Sequence, residues 1–289
     1  MTTIPVFSST FPDLWDAAQK LKDDLEKSEY SDWKSLLHQL DFLSDKDWVE
    51  SIGVVVPGWE KIATGDNGET AKHTLLVLVC CMNLPEYQLA ESHTQCEIEW
   101  AALLHDLVKD AKLRRDASHP FLSAAAAAQC LAGLGFEFRL EEKFIAWMDL
   151  VKSSLHQVDG GWQHDHTHLP EILGTLRYFW RESTPASRII KAVMFHQSLP
   201  TVNDWPNPVI LSDEEIRSYL TLDDMDVLGP LMLGDSDAWN LFEPERSPYM
   251  DELRGNVEEV REIIATPINS GVVSECGKHP FKDETAASA

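Results

Sequence analysis

Positive charge is scarce in this chain. Among its 289 residues, 24 Lys and Arg stand against 48 Asp and Glu, a formal charge of −24 at pH 7. Most of such a surface repels a phosphate backbone, so long nucleic acid is not an expected partner. Long apolar runs are also missing. None approaches the roughly 20 residues that a membrane span requires. The opening MTTIPVFSSTFPDLW carries no basic, apolar, small-residue export signal. The expectation is a cytoplasmic protein with no membrane partner. Cysteine is sparse too: there are five, with no CxxC pair, and four of them lie in apolar helical patterns. That argues against a disulfide framework or a zinc ribbon and for a reducing compartment. No segment shows convincing period-two alternation, the mark of a half-buried strand, and the expected fold class is all-α.

What the chain does have is apolar content, 44% of residues, enough for a large core. Leu14, Ala17, Leu21 and Leu25 recur at helical spacing, and further helices are expected at 33–42 and 47–52. Residues 1–62 read as a helical N-terminal extension closed by the strong turn signal Gly65-Asp66-Asn67-Gly68. The main body spans 63–245, and 246–289 is a last helix with a tail expected to lack structure from Ser270 onward. Within the body, AKHTLLVLVCCMN (71–83) reads as a buried helix whose inward-facing ionisable side chain is His73, with Lys72 reaching solvent. Ser118-His119-Pro120 has the form of a helix start, a capping-type Ser and a Pro in the first turn, before a five-alanine run. The stretch 157–170 is irregular and rich in His, and reads as an exposed loop.

The rest is organised around CEIEWAALLHDLVKDAKLRR (96–115). Read as one helix to Lys112, this stretch puts Ile98, Ala101, Ala102, His105 and Lys109 on or near one face. His105 and Asp106 follow an apolar run, and a buried His–Asp pair needs hydrogen-bond partners or a bound ion. Lys109, Lys112, Arg114 and Arg115 come directly after it, a local positive patch on an acidic protein. Such a patch suits a small anionic ligand. With His73, His119 and His156, and a late Asp in GDSDAWN, these residues offer imidazoles and carboxylates without thiolates. That donor set suits first-row divalent ions held between helices of a bundle.

The motifs Lys72-His73-Thr74-Leu75, Ala102-Leu-Leu-His105-Asp106-Leu-Val-Lys109, Arg114-Arg115-Asp116 and His119-Pro-Phe-Leu-Ser-Ala124 resemble those of the HD-domain superfamily of metal-dependent phosphohydrolases. The run from Leu103 to Phe136 is most similar to the HD region that accompanies CCA-adding enzymes. The nucleotidyltransferase domain of those enzymes is absent, so transfer RNA maturation is not implied. The resemblance covers roughly 70–240 and implies an HD-type helical bundle. By position, it implies that His73, His105, Asp106 and a late Asp hold one ion. His119 and His156 would add ligands for a second ion. The late Asp is Asp237 if Ala238 sets the register, with Asp235 as the competitor; His196, ending KAVMFHQ, competes with His156.

The activity implied is hydrolysis of a small phosphorylated metabolite or nucleotide. One or two divalent ions (Mn, Fe, Co, Ni, Mg or Zn) would activate a water beside Asp106. Lys109 would act on the transition state, and Lys109, Arg114 and Arg115 would bind the substrate's negative charge. Two rival readings share the motifs. Some members of the superfamily use two irons and dioxygen to cleave C–C or C–P bonds, and others are catalytically silent regulators.

Overall fold

The computed structural model describes residues 5–109, 117–136, 142–155, 168–180, 183–200 and 209–266. Among them there is no strand, and the fold is all-α. The N-terminal helices are α1 (Phe7–Thr10), α2 (Pro12–Glu26), α3 (Trp33–Gln39), α4 (Lys46–Gly53) and α5 (Trp59–Thr64). The body follows with α6 (Glu69–Asn83), α7 (Pro85–Leu89), α8 (Ser92–Leu104) and α9 (His119–Gly133). Next come α10 (Glu142–Ser154), α11 (Leu169–Phe179), α12 (Pro185–Phe195) and α13 (Asp213–Tyr219). Two long helices close the chain, α14 (Leu222–Asn240) and α15 (Arg246–Ala265).

Helices α6, α8, α12 and α14 pack together at the centre. Their sequences explain this. From Thr70 to Met82 every residue of α6 is buried, and Cys96–Leu104 of α8 is buried without a break. Helices apolar all round belong inside a bundle. The close approach of α6 and α14 depends on Gly234, because a Cβ there would lie 2.3 Å from Cys81 Sγ and 3.1 Å from the Val77 carbonyl. Likewise Ala124, Ala125, Ala127 and Ala128 of α9 are buried, and α9 packs closely on α12.

The N-terminal helices continue the same core. Phe7 and Phe11 meet Trp100 of α8 edge-on, at 5.7 and 5.6 Å between ring centroids, and the Trp100 indole N–H donates to the Pro5 carbonyl at 2.9 Å. The Gly65–Gly68 turn forms as expected, with Asp66, Asn67 and Gly68 all at positive φ. At Gly68 a side chain would also strike Ser44 Oγ and the Ala63 carbonyl. Lys72 differs from expectation. Instead of reaching solvent it is buried, and its ammonium donates to Asp41 Oδ1 at 2.6 Å, tying α6 to the segment before α4.

Two further differences bear on the site. The helix expected to run from Cys96 to Lys112 stops at Leu104. His105 Nδ1 bonds the Ala102 carbonyl at 2.8 Å, and the chain turns through Asp106 to Val108. A side chain that takes a carbonyl of its own last turn competes with helix continuation. The His–Asp pair therefore sits at a helix end. Ser118 precedes α9 as expected but makes no side-chain cap, its backbone already being helical. The tail expected to lack structure falls outside the described residues.

Candidate metal centre

Six side chains from five helices or their ends converge in the core. His73 comes from the first half of α6, and His105 with Asp106 from the turn ending α8. His119 is the first residue of α9, His196 caps the end of α12, and Asp235 lies in the last half of α14. They form two groups whose ligand atoms lie within 4.8 Å of one another: His73, His105 and Asp235, and beside them Asp106, His119 and His196.

Asp106 stands between the two groups, fully buried. Its Oδ2 faces His105 Nε2 at 3.4 Å and His73 Nε2 at 3.9 Å. Its Oδ1 faces His119 Nε2 at 3.2 Å and His196 Nε2 at 4.0 Å. Each carboxylate oxygen thus serves a different set of imidazoles. Asp235 Oδ1 completes the first set, 2.8 Å from His73 Nε2 and 3.9 Å from His105 Nε2.

The tautomers follow from the backbone. His105 Nδ1 lies 2.8 Å from the Ala102 carbonyl and His196 Nδ1 lies 2.7 Å from the Val193 carbonyl. A carbonyl only accepts, so Nδ1 carries the proton and, in the neutral ring, Nε2 presents a lone pair. Both Nε2 atoms are buried without a hydrogen-bond partner. Each such group costs roughly 1–3 kcal/mol when left unsatisfied.

The electrostatics act in the same direction. Burial pushes His196 down to about 3, with the nearby His105 adding to the effect, so this ring stays neutral. His73 is likewise lowered, chiefly by burial, against the pull of Asp235. Burial alone would raise Asp106, but His105, Lys109 and His119 together hold its carboxyl well below the usual range. Asp235 is lowered in the same way, its desolvation outweighed by the His73 hydrogen bond and the surrounding imidazoles. The core therefore gathers ionised carboxylates beside the unbonded Nε2 atoms of His105 and His196, with the Lys109 ammonium against Asp106 and His73 bonded to Asp235. This donor set could hold a metal ion.

Placement of the expected residues is uneven. His73, His105, Asp106 and His119 come together as a group. Asp235 rather than Asp237 joins them, which corrects the register taken from Ala238. Two residues rotate a helix by about 200°. Asp237 consequently points to α15, where Arg246 grips it through Nε–Oδ1 at 2.6 Å and Nη2–Oδ2 at 2.8 Å. His196, the competitor to His156, joins Asp106 and His119; His156, Arg114, Arg115 and Lys112 lie outside the described residues. Lys109 reaches the cluster differently from expectation, its ammonium 2.6 Å from Asp106 Oδ2 rather than a turn along a continuous helix.

The signal for His196 was in the sequence. WAALLH and KAVMFH are both apolar runs ending in His, and both rings fold back on the carbonyl three residues earlier. Cys80 and Cys81 on α6 are buried nearby, but burial raises both thiols, and neither enters the ligand groups. Trp239, one helical turn beyond Asp235, stacks on His73 at 4.5 Å between ring centroids and 29° between planes. Four imidazoles and two carboxylates without thiolate fit one or two first-row divalent ions. Comparison with known proteins gives no match to a family model, a curated protein or a solved structure, so what the site does must be argued from its own chemistry.

Proposed function

We propose that the chain is a metal-dependent phosphohydrolase acting on a small phosphorylated metabolite. The observation that carries this is the mutual facing of buried donors: His105 Nε2 and His196 Nε2, with no hydrogen bond, aimed at the carboxylates of Asp106 and Asp235. One ion would be held by His73, His105 and Asp235, a second by His119 and His196, with Asp106 shared. Divalent ions held there would supply a water activated near neutral pH and offset charge on a phosphoryl oxygen.

The remaining work falls to the chain itself. Hydrolysis places the water oxygen on phosphorus and returns the ester oxygen, with a proton, to the leaving group. Lys109, with its ammonium against Asp106, is the described cation best placed to meet the other phosphoryl oxygens. Asp106 is held ionised by its neighbours, so a proton does not block its oxygens. The resemblance of the HDxxK stretch to HD-type phosphohydrolases supports the same reaction class. Arg114 and Arg115 remain candidates for binding substrate charge.

The test is metal content of the purified protein together with a phosphatase screen over nucleotides and sugar phosphates, with and without chelator. Hydrolysis that chelator abolishes and divalent metal restores is the expected result. Tightly held iron with a visible absorption band and no phosphatase activity would replace hydrolysis by di-iron oxygen chemistry. Absence of any metal uptake would leave a silent regulatory protein.

A further inference from the structure

Beside the metal centre is a cleft of about 280 Å³ lined by Trp33, Leu37, Leu76, Ala238 and Trp239, with Glu69 and His73 as its two polar residues. Trp239 is 57% exposed although it stands against His73, an unusual solvent exposure for an indole next to a buried cluster. Trp33 comes from α3, and Phe242, just past α14, holds it edge-on at 5.2 Å. One wall of the cleft thus comes from the N-terminal helices, which supply no member of the metal centre.

We propose that the substrate of this centre carries an apolar group, the size of a one- or two-ring aromatic, which lies in the cleft between α3 and the end of α14 while its anionic group lies at the metals. This rests on the reading of the buried cluster as a phosphoryl-binding metal site. His73 belongs to both places, so the cleft and the ligand group share one side chain. The volume is sufficient, since an apolar cavity of about 150 Å³ already takes up benzene. The lining also selects. A second phosphate or a carboxylate in the cleft would meet Glu69 and no cation of the lining, and polar groups set against Leu37, Leu76 and Ala238 would find no hydrogen bonds from those side chains. An apolar group loses nothing there and covers exposed indole.

The metal-loaded full chain should be titrated with two phosphonates of equal charge, methylphosphonate and (1-naphthylmethyl)phosphonate, and with neutral 1-naphthalenemethanol. The naphthyl phosphonate is expected to bind about tenfold tighter or more. In Trp33→Ala that ratio should fall to about twofold or less, with methylphosphonate affinity and metal content unchanged. Leu37→Ser gives a second variant if Trp33→Ala fails to fold. Equal affinity of the two phosphonates in the wild type overturns the proposal, as does a preference that neither variant reduces. If methylphosphonate itself does not bind, the phosphoryl-binding reading fails and the neutral alcohol decides the cleft. Saturable binding lost in the variants supports an apolar ligand, and no binding overturns it.

Discussion

At the scale of single residues, the site depends on where two carboxylates point. Asp106→Ala removes the one group facing both sets of imidazoles, and metal stoichiometry by mass spectrometry should fall to background with activity. Its fold should survive, because Lys109, the cation left by the substitution, is part exposed and can turn to solvent. Asp235 and Asp237 separate in the same way. Asp235→Asn should abolish activity, whereas Asp237→Asn should retain the metal and lose about 1–2 kcal/mol of stability through its broken fork with Arg246. Equal metal loss in the two variants would refute this division. A sequence alone could not separate these two aspartates. Nearly all of α14 from Asp224 to Gly234 is buried, so the helix has no polar face against which to judge either position.

At the scale of elements, two ion pairs, each with a buried carboxylate, hold the ligand-bearing helices in place. Arg188 of α12 forks onto Glu97 of α8, a residue with no exposed surface. Lys191 of α12 donates to Asp224 Oδ2 of α14 at 2.7 Å. The same Asp224 oxygen accepts from the Thr221 backbone and hydroxyl, both at 2.8 Å, closing the capping box that starts α14. Lys191→Met leaves a buried carboxylate without its cation and should cost about 3 kcal/mol or more in denaturant unfolding. Pairing it with Asp224→Leu should recover much of that loss, a result a purely apolar contact would not give. These links were hidden in the sequence, since long-range pairs leave no local pattern. The helices themselves were legible, because apolar runs and caps are local. The HDLVK helix extension failed for a local reason as well: His105 bonds its own last turn, which periodicity does not register.

One element also carries a pH response separate from the site. Glu99 of α8 is buried, accepts from Tyr87 Oη at 2.6 Å, and is pushed up to about 7 by desolvation. Between about pH 4.5 and 7 the folded protein keeps a proton there that the unfolded chain releases. Stability therefore falls as pH rises through that window and levels off above it, by about 3 kcal/mol at most. Glu99→Gln should remove this loss and melt higher than wild type at pH 8. The two should converge near pH 4.5; parallel curves across the range would exclude Glu99 as the source.

At the scale of the whole molecule, a chain of formal charge −24 keeps two of its carboxylates, Asp106 and Asp235, together in the core. Moderate salt should raise the melting temperature by screening surface repulsion. Divalent metal at micromolar concentration should raise it further, through binding to the folded state alone. The indole of Trp239 offers a different kind of measurement. It is one of ten tryptophans in the chain, yet it is 57% exposed and touches a ring of the metal centre. An exposed indole emits at the red edge of tryptophan fluorescence, and a paramagnetic ion a few ångströms away quenches it. Cobalt or nickel should therefore darken the red edge of the emission first, and Trp239→Phe should erase that selectivity. On the proposed metal loading, this indole would serve as an optical gauge of occupancy, readable without a label.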